Sequence, residues 1–392
     1  MSGPKKKILV VAGEASADLH AAHLLERFAK SHAIELIGIG GDRLVHLGLN
    51  PLRHARDMAV VGFTEAIKKI PQTLRLLGEL EQLALREKPD FALLLDLPDF
   101  NLRLAPKLKK AGVPVVYYIS PQVWAWRSGR VNQMAECLDL LLTILPFELD
   151  WYKKHAPSKL RVEYVGHPVL EEIPDLPYAP RENSIAIMPG SRESEWRNLF
   201  GPMIEAAALL SRGNSSLEFT LPLAEPLRKS AAVRGLLSHQ GPYGDSIRSL
   251  GAAFKVVEQP AHEVLRHAKA AWIASGTATL EAGVVGTPMA VVYKVSGTTA
   301  FIFKHLVRYT GAVAIVNLIL SGLGSEERVV PEILQDEVEP NRLASAMRDL
   351  LTPATWSKQR DRLSQTRAIL SGEGLPLDNA VAALERFLRG RE

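Results

Sequence analysis

Apolar residues recur in two rhythms along this chain. Short runs rich in β-branched and other apolar residues read as strands at residues 8–12, 34–39, 91–95 and 113–119. Between them, stretches at 17–29 and 71–87 repeat with the spacing of an amphipathic helix. After residue 182 the alternation starts again, with strands at 184–188, 217–221, 254–257, 270–274 and 288–292 and a helix at 195–210. This alternation of strands and helices predicts parallel sheets covered by helices on both faces. The segment 171–182 carries Pro174, Pro177 and Pro180 among acidic residues and reads as a linker. Helical spacing returns at 341–351, 355–370 and 377–388. The predicted class is α/β: two successive units, residues 1–172 and 183–340, with a cleft between them, then helices in 341–392.

Composition narrows the function classes. At 392 residues the chain exceeds what one compact core fills, in keeping with two units. The longest apolar runs, at 138–147 and 312–320, are about half a membrane span, and the N-terminus has no signal-peptide pattern. Basic-aromatic stretches at 298–309 and 67–77 have the make-up of surfaces that lie on an anionic membrane, although an amphipathic helix on the core has the same pattern. The single cysteine, Cys137, rules out an intrachain disulfide, fits a reducing compartment and reads as a small buried hydrophobe. A net charge of +4 favours anionic partners such as nucleotide diphosphates, sugar phosphates or anionic lipids. With no zinc-ligand spacing or nucleic-acid-binding motif, nucleic acid is not an expected partner.

Ligands of open parallel sheets bind beyond the carboxyl ends of the strands, so the residues there carry the candidate chemistry. After the first strand comes Gly13-Glu14-Ala15-Ser16, either a turn with Ser16 as helix N-cap or a cleft loop with Glu14 facing substrate. The spacing is not that of a dinucleotide fingerprint. Asp96 ends an apolar run, and a carboxylate half shielded at that edge is a candidate general base. Asp99 reads as a cap or turn residue, with a helix starting late, near Pro106. The loop Ser120 to Arg127 holds Trp124 and Trp126. It is either a loop pinned by buried indoles or a wall for a sugar or acyl chain, with Arg127 meeting a phosphate.

In the second half, Gly190-Ser191-Arg192 precedes a helix, and its backbone N–H groups and guanidinium suit a diphosphate, with Glu195 orienting Arg192 or favouring the helix start. Ser275-Gly276-Thr277 opens a second such helix, with Glu281 one turn in and placed for ribose hydroxyls. No Asp-x-Asp pair, Walker A loop or serine elbow is present, and His20 and His23 read as exposed helix histidines without a third metal ligand.

Together the segments Val11-Ala12-Gly13-Glu14-Ala15-Ser16, Ala59-Val60-Val61-Gly62, Asp96-Leu97-Pro98-Asp99-Phe100-Asn101, Ser120 through Arg127, Leu145-Pro146-Phe147-Glu148, Gly166-His167-Pro168, Pro189-Gly190-Ser191-Arg192 and Ser275 through Glu281 resemble the lipid A disaccharide synthase family, in the family's order and across nearly the whole chain. The resemblance implies a GT-B glycosyltransferase of two Rossmann-like domains facing a cleft. It implies transfer of diacylglucosamine from UDP to the 6-hydroxyl of diacylglucosamine 1-phosphate, with inversion to a β-1,6 bond and with neither metal nor cofactor. It matches Asp96 to the family's essential aspartate, and Arg192, Glu281 and Asn317 to its UDP site. It also implies a homodimer, with the helices of 341–392 packing back on an N-terminal domain, its own or its partner's, and peripheral association with the anionic cytoplasmic face of a bacterial inner membrane. The family pattern has glycine where Ala17 stands and near Ala21 and His23, so the expectation here is a tighter acceptor pocket or a shifted approach of the first helix. Another GT-B-type UDP-N-acetylglucosamine enzyme, an epimerase or a peptidoglycan glycosyltransferase, stays open as an alternative. So does a non-catalytic nucleotide- or lipid-binding protein.

Overall fold

The computed structural model describes residues 5–57, 70–125, 127–295 and 311–390. The chain forms two compact units, one of Met1–Glu171 with Leu370–Glu392 and the other of Glu172–Ile369.

The first unit is built on strands β1 (Lys6–Ala12), β2 (Ile34–Gly40), β3 (Leu49–His54), β4 (Phe91–Leu95), β5 (Val115–Tyr118), β6 (Leu140–Thr143) and β7 (Val162–Tyr164). They form one parallel sheet in the order β3-β2-β1-β4-β5-β6-β7. The sheet's helices include α1 (Ala15–Phe28), α2 (Asp42–His46), α3 (Ile70–Glu87), α4 (Pro98–Lys110), α5 (Arg130–Cys137) and α6 (Pro146–His155). Ile8 to Ala12 and Phe91 to Leu95 are wholly buried, as the unbroken apolar runs require of strands covered on both faces. On α1, Ala17, Ala21, Ala22, Leu24, Leu25 and Phe28 form the inward face, and the alanines near its start leave a slim helix surface there.

Two local expectations give way. Helix α1 begins at Ala15 with Glu14 as N-cap, so Ser16 lies inside the first turn and is not the cap. Helix α4 starts at Pro98, not near Pro106, and runs through that proline. Pro98 fits because a first-turn residue needs no N–H donor. Pro106 removes the N–H that would bond the carbonyl of Leu102, and Gln133 Nε2 on α5 donates to that carbonyl instead, at 2.9 Å.

The second unit contains β8 (Arg181–Met188), β9 (Glu218–Pro222), β10 (Phe254–Val257), β11 (Ala268–Ala274), β12 (Met289–Tyr293) and β13 (Glu332–Leu334), parallel in the order β10-β9-β8-β11-β12-β13. Its helices include α7 (Glu193–Gly213), α8 (Thr277–Val285), α9 (Ile315–Ser321), α10 (Pro340–Leu350) and α11 (Pro353–Leu363). Trp196, Phe200, Phe219 and Trp272 fill the core beside α7 and α10. The proline-rich stretch before β8 is pinned rather than loose: Tyr178 Oη donates to the carbonyl of Ala268 at 2.7 Å, and its ring stacks on Trp356.

The closing helices do not move together. α10 buries Leu343, Ala344, Met347 and Leu350 in the second unit, and on α11 Gln359 accepts from the N–H of Met289 at 2.6 Å. Only the chain from Leu370 belongs with the first unit. There α12 (Pro376–Arg389) packs on α1, with Arg27 Nη1 paired to Asp378 Oδ1 at 2.9 Å. The portion that returns to the N-terminal domain is therefore shorter than the expected 341–392. Apolar spacing marks a helix but not which sheet it covers.

Both sheets share one topology. The strand order reverses between β1 and β4 in the first and between β8 and β11 in the second, which opens a crevice at the carboxyl ends of those strands.

Candidate active site

At the first crevice, Ala12 pairs with Leu95, so Gly13 and Asp96 leave the sheet side by side. Glu14 and Ser16, exposed at the start of α1, open from the same edge. The backbone beyond β4 and β5 is strained. Asp96 (φ 54°), Leu97 (φ 42°), Ile119 (φ 67°) and Arg127 (φ 60°) all adopt the left-handed region, though none is glycine. Each such residue costs about 1–3 kcal/mol, and strain of this kind clusters at active sites and ligand clamps. The surroundings hold Asp96 in place. Its carbonyl accepts from Tyr117 Oη (2.5 Å) and Asn101 Nδ2 (2.7 Å), and Asn101 also donates to the carbonyl of Leu95 (3.0 Å). Tyr117 and Asn101 are fully buried, and burial pushes the Tyr117 phenol far above its ordinary range, so it stays a donor. The carboxylate takes one bond, from the N–H of Leu97 to Oδ1 at 3.0 Å, and Oδ2 has no partner among the described residues. The result is a half-buried carboxylate with a fixed backbone and an oxygen that meets no donor among the described residues.

Asp18, one turn into α1, is buried and works on structure. Its carboxylate accepts from the N–H groups of Gly41 (2.6 Å), Arg43 (3.1 Å) and Leu44 (3.3 Å), capping α2. A side chain at Gly41 would strike that carboxylate. His20 is not the exposed helix histidine expected from spacing. Burial, aided by His23, lowers its pKa to about 4.

The loop after β5 is held by its neighbours. Trp124 Nε1 donates to Glu148 Oε1 at 3.1 Å, and its ring meets Phe147 edge-on. Glu148 also accepts from the N–H groups of Ile144 and Leu145. Burial raises its pKa to about 7 against the pull of those donors and the indole. Ser120 Oγ and Tyr152 Oη share a 2.7 Å bond. Trp124 is thus the pinned indole of the two readings, and Trp126 lies outside the described residues. Arg127 Nη1 meets Asp99 Oδ1 at 3.0 Å, and Arg130 reaches the same oxygen. Asp99 is therefore not a cap: Leu97 holds that position, and Asp99 sits in the first helical turn as the partner of two guanidiniums. Burial opposes ionisation of Asp99, but the Arg130 hydrogen bond and the charges of Arg130, Arg127 and Arg103 outweigh it and hold its pKa below the ordinary value.

At the second crevice, Met188 pairs with Ile273, so Pro189–Arg192 and Ser275–Thr277 are adjacent exits. The two helix starts differ. At α7, Glu195 folds back and accepts from the N–H groups of Ser191 (2.9 Å) and Arg192 (3.1 Å), closing a capping box. The backbone donors expected to meet a diphosphate there are occupied by the protein's own carboxylate, because an acid at the third helical position is the nearest anion to that positive helix end. Gly190 permits this: its φ is +112°, and a Cβ would lie 2.1 Å from Glu195 Oε2. Arg192 itself is 75% exposed, with Glu195 Oε1 at 3.3 Å orienting it. At α8 the first turn holds no acid, Gly276 caps without a side chain, and the N–H groups of Gly276, Thr277 and Ala278 meet no acceptor among the described residues. Of the two starts, α8 is the one whose N–H groups are left open, the geometry that suits an anion.

Glu281 follows one turn into α8. Burial, with the charge of Glu172 behind it, raises its pKa to about 7. Asn317 does not present its side chain to this edge. It is buried, its Nδ2 donates to the carbonyl of Val330 (3.0 Å) and to Glu332 Oε1 (2.8 Å), and its Oδ1 accepts from the N–H of Val330. Glu332 in turn accepts from the N–H groups of Val313 and Ala314, and the carbonyl of Val313 accepts from Ser275 Oγ at 3.4 Å. Asn317 thus acts one step away, by steadying the loop beside Ser275.

The family model described as Lipid-A-disaccharide synthetase matches residues 8–379. The chain belongs to the lipid-A-disaccharide synthetase family. A Lipid-A-disaccharide synthase of Myxococcus xanthus is 40% identical over 403 aligned residues, covering 100% of both chains, and one of Anaeromyxobacter dehalogenans is 41% identical over 384 residues, covering 95% of each. Among solved structures, the calicheamicin glycosyltransferase CalG4 superposes with a TM-score of 0.60 at 16% identity, over 99% of each chain. A UDP-GlcNAc 2-epimerase from Neisseria meningitidis bound to UDP-GlcNAc gives 0.56 at 13%, over 97% of this chain and 100% of its own. At such identities the likeness speaks for the fold, which is the GT-B arrangement of two parallel α/β sheets.

As a lipid-A-disaccharide synthetase family member the chain is a glycosyltransferase, and several family segments have physical jobs here. Asn101, which ends the Asp96-to-Asn101 segment, braces the strained carbonyl of Asp96, and Glu148, which ends Leu145-Pro146-Phe147-Glu148, holds the Trp124 loop. Sequence reasoning missed Asn101, Tyr117 and Glu332 as supports. A polar side chain on the inward face of a helix was the available signal for Asn101, and an acid within an apolar strand for Glu332. The Ala59-to-Gly62 segment and the 298–309 stretch lie outside the described residues, as does residues 67–69 of the other basic stretch.

Proposed function

We propose that this chain transfers a 2,3-diacylglucosamine unit from UDP to the 6-hydroxyl of 2,3-diacylglucosamine 1-phosphate, with inversion, giving the β-1,6-linked disaccharide 1-phosphate and UDP. The reading rests on family membership over residues 8–379, and the observation that carries its chemistry is Asp96: a strained, braced carboxylate with an open oxygen at the crevice of the first sheet. Asp96 removes the proton of the acceptor hydroxyl as that oxygen attacks the anomeric carbon. The bond to the UDP oxygen breaks, and the charge that develops there is met by the open N–H groups at Gly276 and Thr277 and by Arg192. Ser275 and the self-capped turn at Gly190 and Ser191 shape the pocket around them. Glu281 accepts from ribose hydroxyls, and Asn317 keeps the adjoining loop in place. Glu14, Ser16, Trp126 and Arg127 face the acceptor.

Lipid-linked substrates imply work at an anionic membrane surface on the cytoplasmic side. No helix among the described residues is long and apolar enough to cross a membrane. Pairing of two copies through the C-terminal helices belongs to the same proposal.

The test is a purified assay with UDP-diacylglucosamine and its 1-phosphate acceptor, reading disaccharide and UDP together. Asp96→Asn should cut turnover by about a hundredfold or more while leaving UDP affinity intact, a base contributing about 10²–10⁴ in rate. Near-normal turnover of that variant would remove Asp96 from the chemistry. Absence of transfer by the unaltered protein would refute the reaction.

A further inference from the structure

Glu148 is a buried carboxylate that the transfer chemistry above leaves unused. It stands at the third position of α6 and is 1% exposed. Three N–H groups aim at its two oxygens. The indole of Trp124 donates to Oε1 at 3.1 Å, and the backbone N–H groups of Leu145 (3.1 Å) and Ile144 (3.3 Å) donate to Oε2. Such a cage calls for an acceptor on each oxygen, and only the ionised acid has no donor of its own. A proton on either oxygen would face an N–H, so the helix start or the indole must let go. One turn along the same helix face, Tyr152 Oη shares a 2.7 Å bond with Ser120 Oγ. Helix α6 therefore grips the loop that leaves β5 at two points, Ser120 and Trp124. That loop begins beside Asp96. Tyr118 pairs with Leu95, so Ile119 and Asp96 are neighbouring exits, and both turn out through the left-handed region, which persists only where the surroundings hold it.

The groups around Glu148 are otherwise neutral. Tyr152 on its own helix and Tyr164 on β7 both feel its charge. Burial lifts both phenols above their ordinary range and the Glu148 charge adds to it, against the pull of the Ser120 bond on Tyr152, so both stay protonated. The Tyr164 hydroxyl donates to the carbonyl of Leu370 at 3.0 Å. For Glu148 itself burial raises the pKa to about 7, and the three N–H donors are what pulls it down.

We propose that Glu148 is a positioning residue for the acceptor: as a carboxylate it fastens the 120–124 loop beside Asp96, and on taking up a proton it releases Trp124 and slackens that wall of the acceptor site. The proposal rests on the transfer reading above and adds the group that sets the state of this loop.

The test measures kcat/KM for the acceptor at saturating donor, which keeps Glu281 out of the profile, for the unaltered protein, Glu148→Gln and Trp124→Phe. The unaltered protein should lose up to about tenfold between about pH 8 and about pH 6, as a group titrating near 7 dictates. Glu148→Gln sets an amide N–H against the donors at every pH, so it should stay at the low-pH level throughout. Trp124→Phe keeps a ring but removes a donor that favours the carboxylate, so the acid limb should move up by about half to one pH unit. A limb that keeps its place in Trp124→Phe belongs to another group and overturns the proposal. Trp124→Phe is the milder change and decides the matter if Glu148→Gln does not fold. Hydrogen exchange at about pH 8 reads the loop without turnover: residues 119–125 should exchange about tenfold faster in Glu148→Gln while β4 and β5 stay protected. Unchanged exchange there refutes the tether. Faster exchange without a moved limb leaves a structural clamp that does not serve transfer, and the proposal falls. If the unaltered protein makes no disaccharide while exchange responds as expected, the transfer reading fails and the tether stands.

Discussion

Removing one oxygen, in Tyr117→Phe, isolates the bracing of Asp96. The phenol donates at 2.5 Å to the Asp96 carbonyl from a fully buried ring, and Asn101 Nδ2 at 2.7 Å is the carbonyl's other donor. Phenylalanine fills the same space, so the ring's packing survives. A buried hydrogen bond of this kind is worth about 0.5–1.5 kcal/mol, and the left-handed backbone it helps to hold at Asp96 and Leu97 stores about 1–3 kcal/mol per residue. With one donor gone, the backbone relaxes in part and the carboxylate leaves its aim. If about 1 kcal/mol of the lost bracing appears in the transition state, kcat falls about fivefold, since 1.36 kcal/mol is a factor of ten. The melting temperature should fall by about 2–4 °C. Acceptor KM should hold, because the oxygen removed lies behind the base. The assay is steady-state disaccharide formation beside a thermal melt, with the double variant Tyr117→Phe/Asp96→Asn completing a cycle. If Tyr117 works through Asp96, its loss adds little to the residual rate of Asp96→Asn. A melt that drops as expected while kcat stays within twofold of the unaltered protein would refute the link between backbone strain and catalysis.

Two further outcomes follow from the second unit. Glu281, with a pKa raised to about 7 by burial and Glu172, accepts more strongly from ribose hydroxyls as the carboxylate, so a UDP-sugar should bind more tightly, by up to about tenfold, at pH 8 than at pH 6, and Glu281→Gln should flatten that slope in calorimetric titration. An equal slope in the variant would rule the assignment out. The sign reverses for stability: a raised acid favours the fold fully below its unfolded value near 4.5, and that contribution is lost as the pH climbs through 7. Gly190→Ala places a methyl group 2.1 Å from Glu195 Oε2 at a φ of +112°, so the capping box should open, stability should fall by about 1–3 kcal/mol and UDP affinity should weaken; an unchanged melt and affinity would contradict the geometry.

The fold was legible because its signal is redundant. Each unbroken apolar run in the two sheets has only one way to be covered, and Asp96 could be singled out because it follows such a run directly. Its supports were not legible, since Tyr117 sits within another apolar strand and nothing in its neighbours tells a packed ring from a donor aimed across the sheet. Ion-pair partners were hidden for a similar reason. Arg127 and Asp99 lie 28 residues apart, and only the adjacency of β4 and β5 brings their loops together. The destination of the last helices was equally hidden: α10 and α12 are both amphipathic, and which unit each covers depends on surfaces elsewhere in the chain.

The two helix starts of the second unit differ at one position that their sequences display. Pro189-Gly190-Ser191-Arg192 and Ser275-Gly276-Thr277 both combine glycine with small polar residues, and both read as anion sites. The third helical residue separates them. An acid there, Glu195, is close enough to take the free N–H groups for itself, whereas α8 has Thr279 at that place, whose hydroxyl bonds back to the carbonyl of Gly276 at 2.8 Å and leaves the donors alone. On the function proposed above, the charge that leaves with UDP would meet backbone donors at α8 and a side chain at α7. That division predicts which substitution is damaging: loss of the Arg192 guanidinium removes the whole contribution of its loop, while Ser191→Ala, on a loop whose amides are already satisfied, should change UDP affinity by less than about threefold.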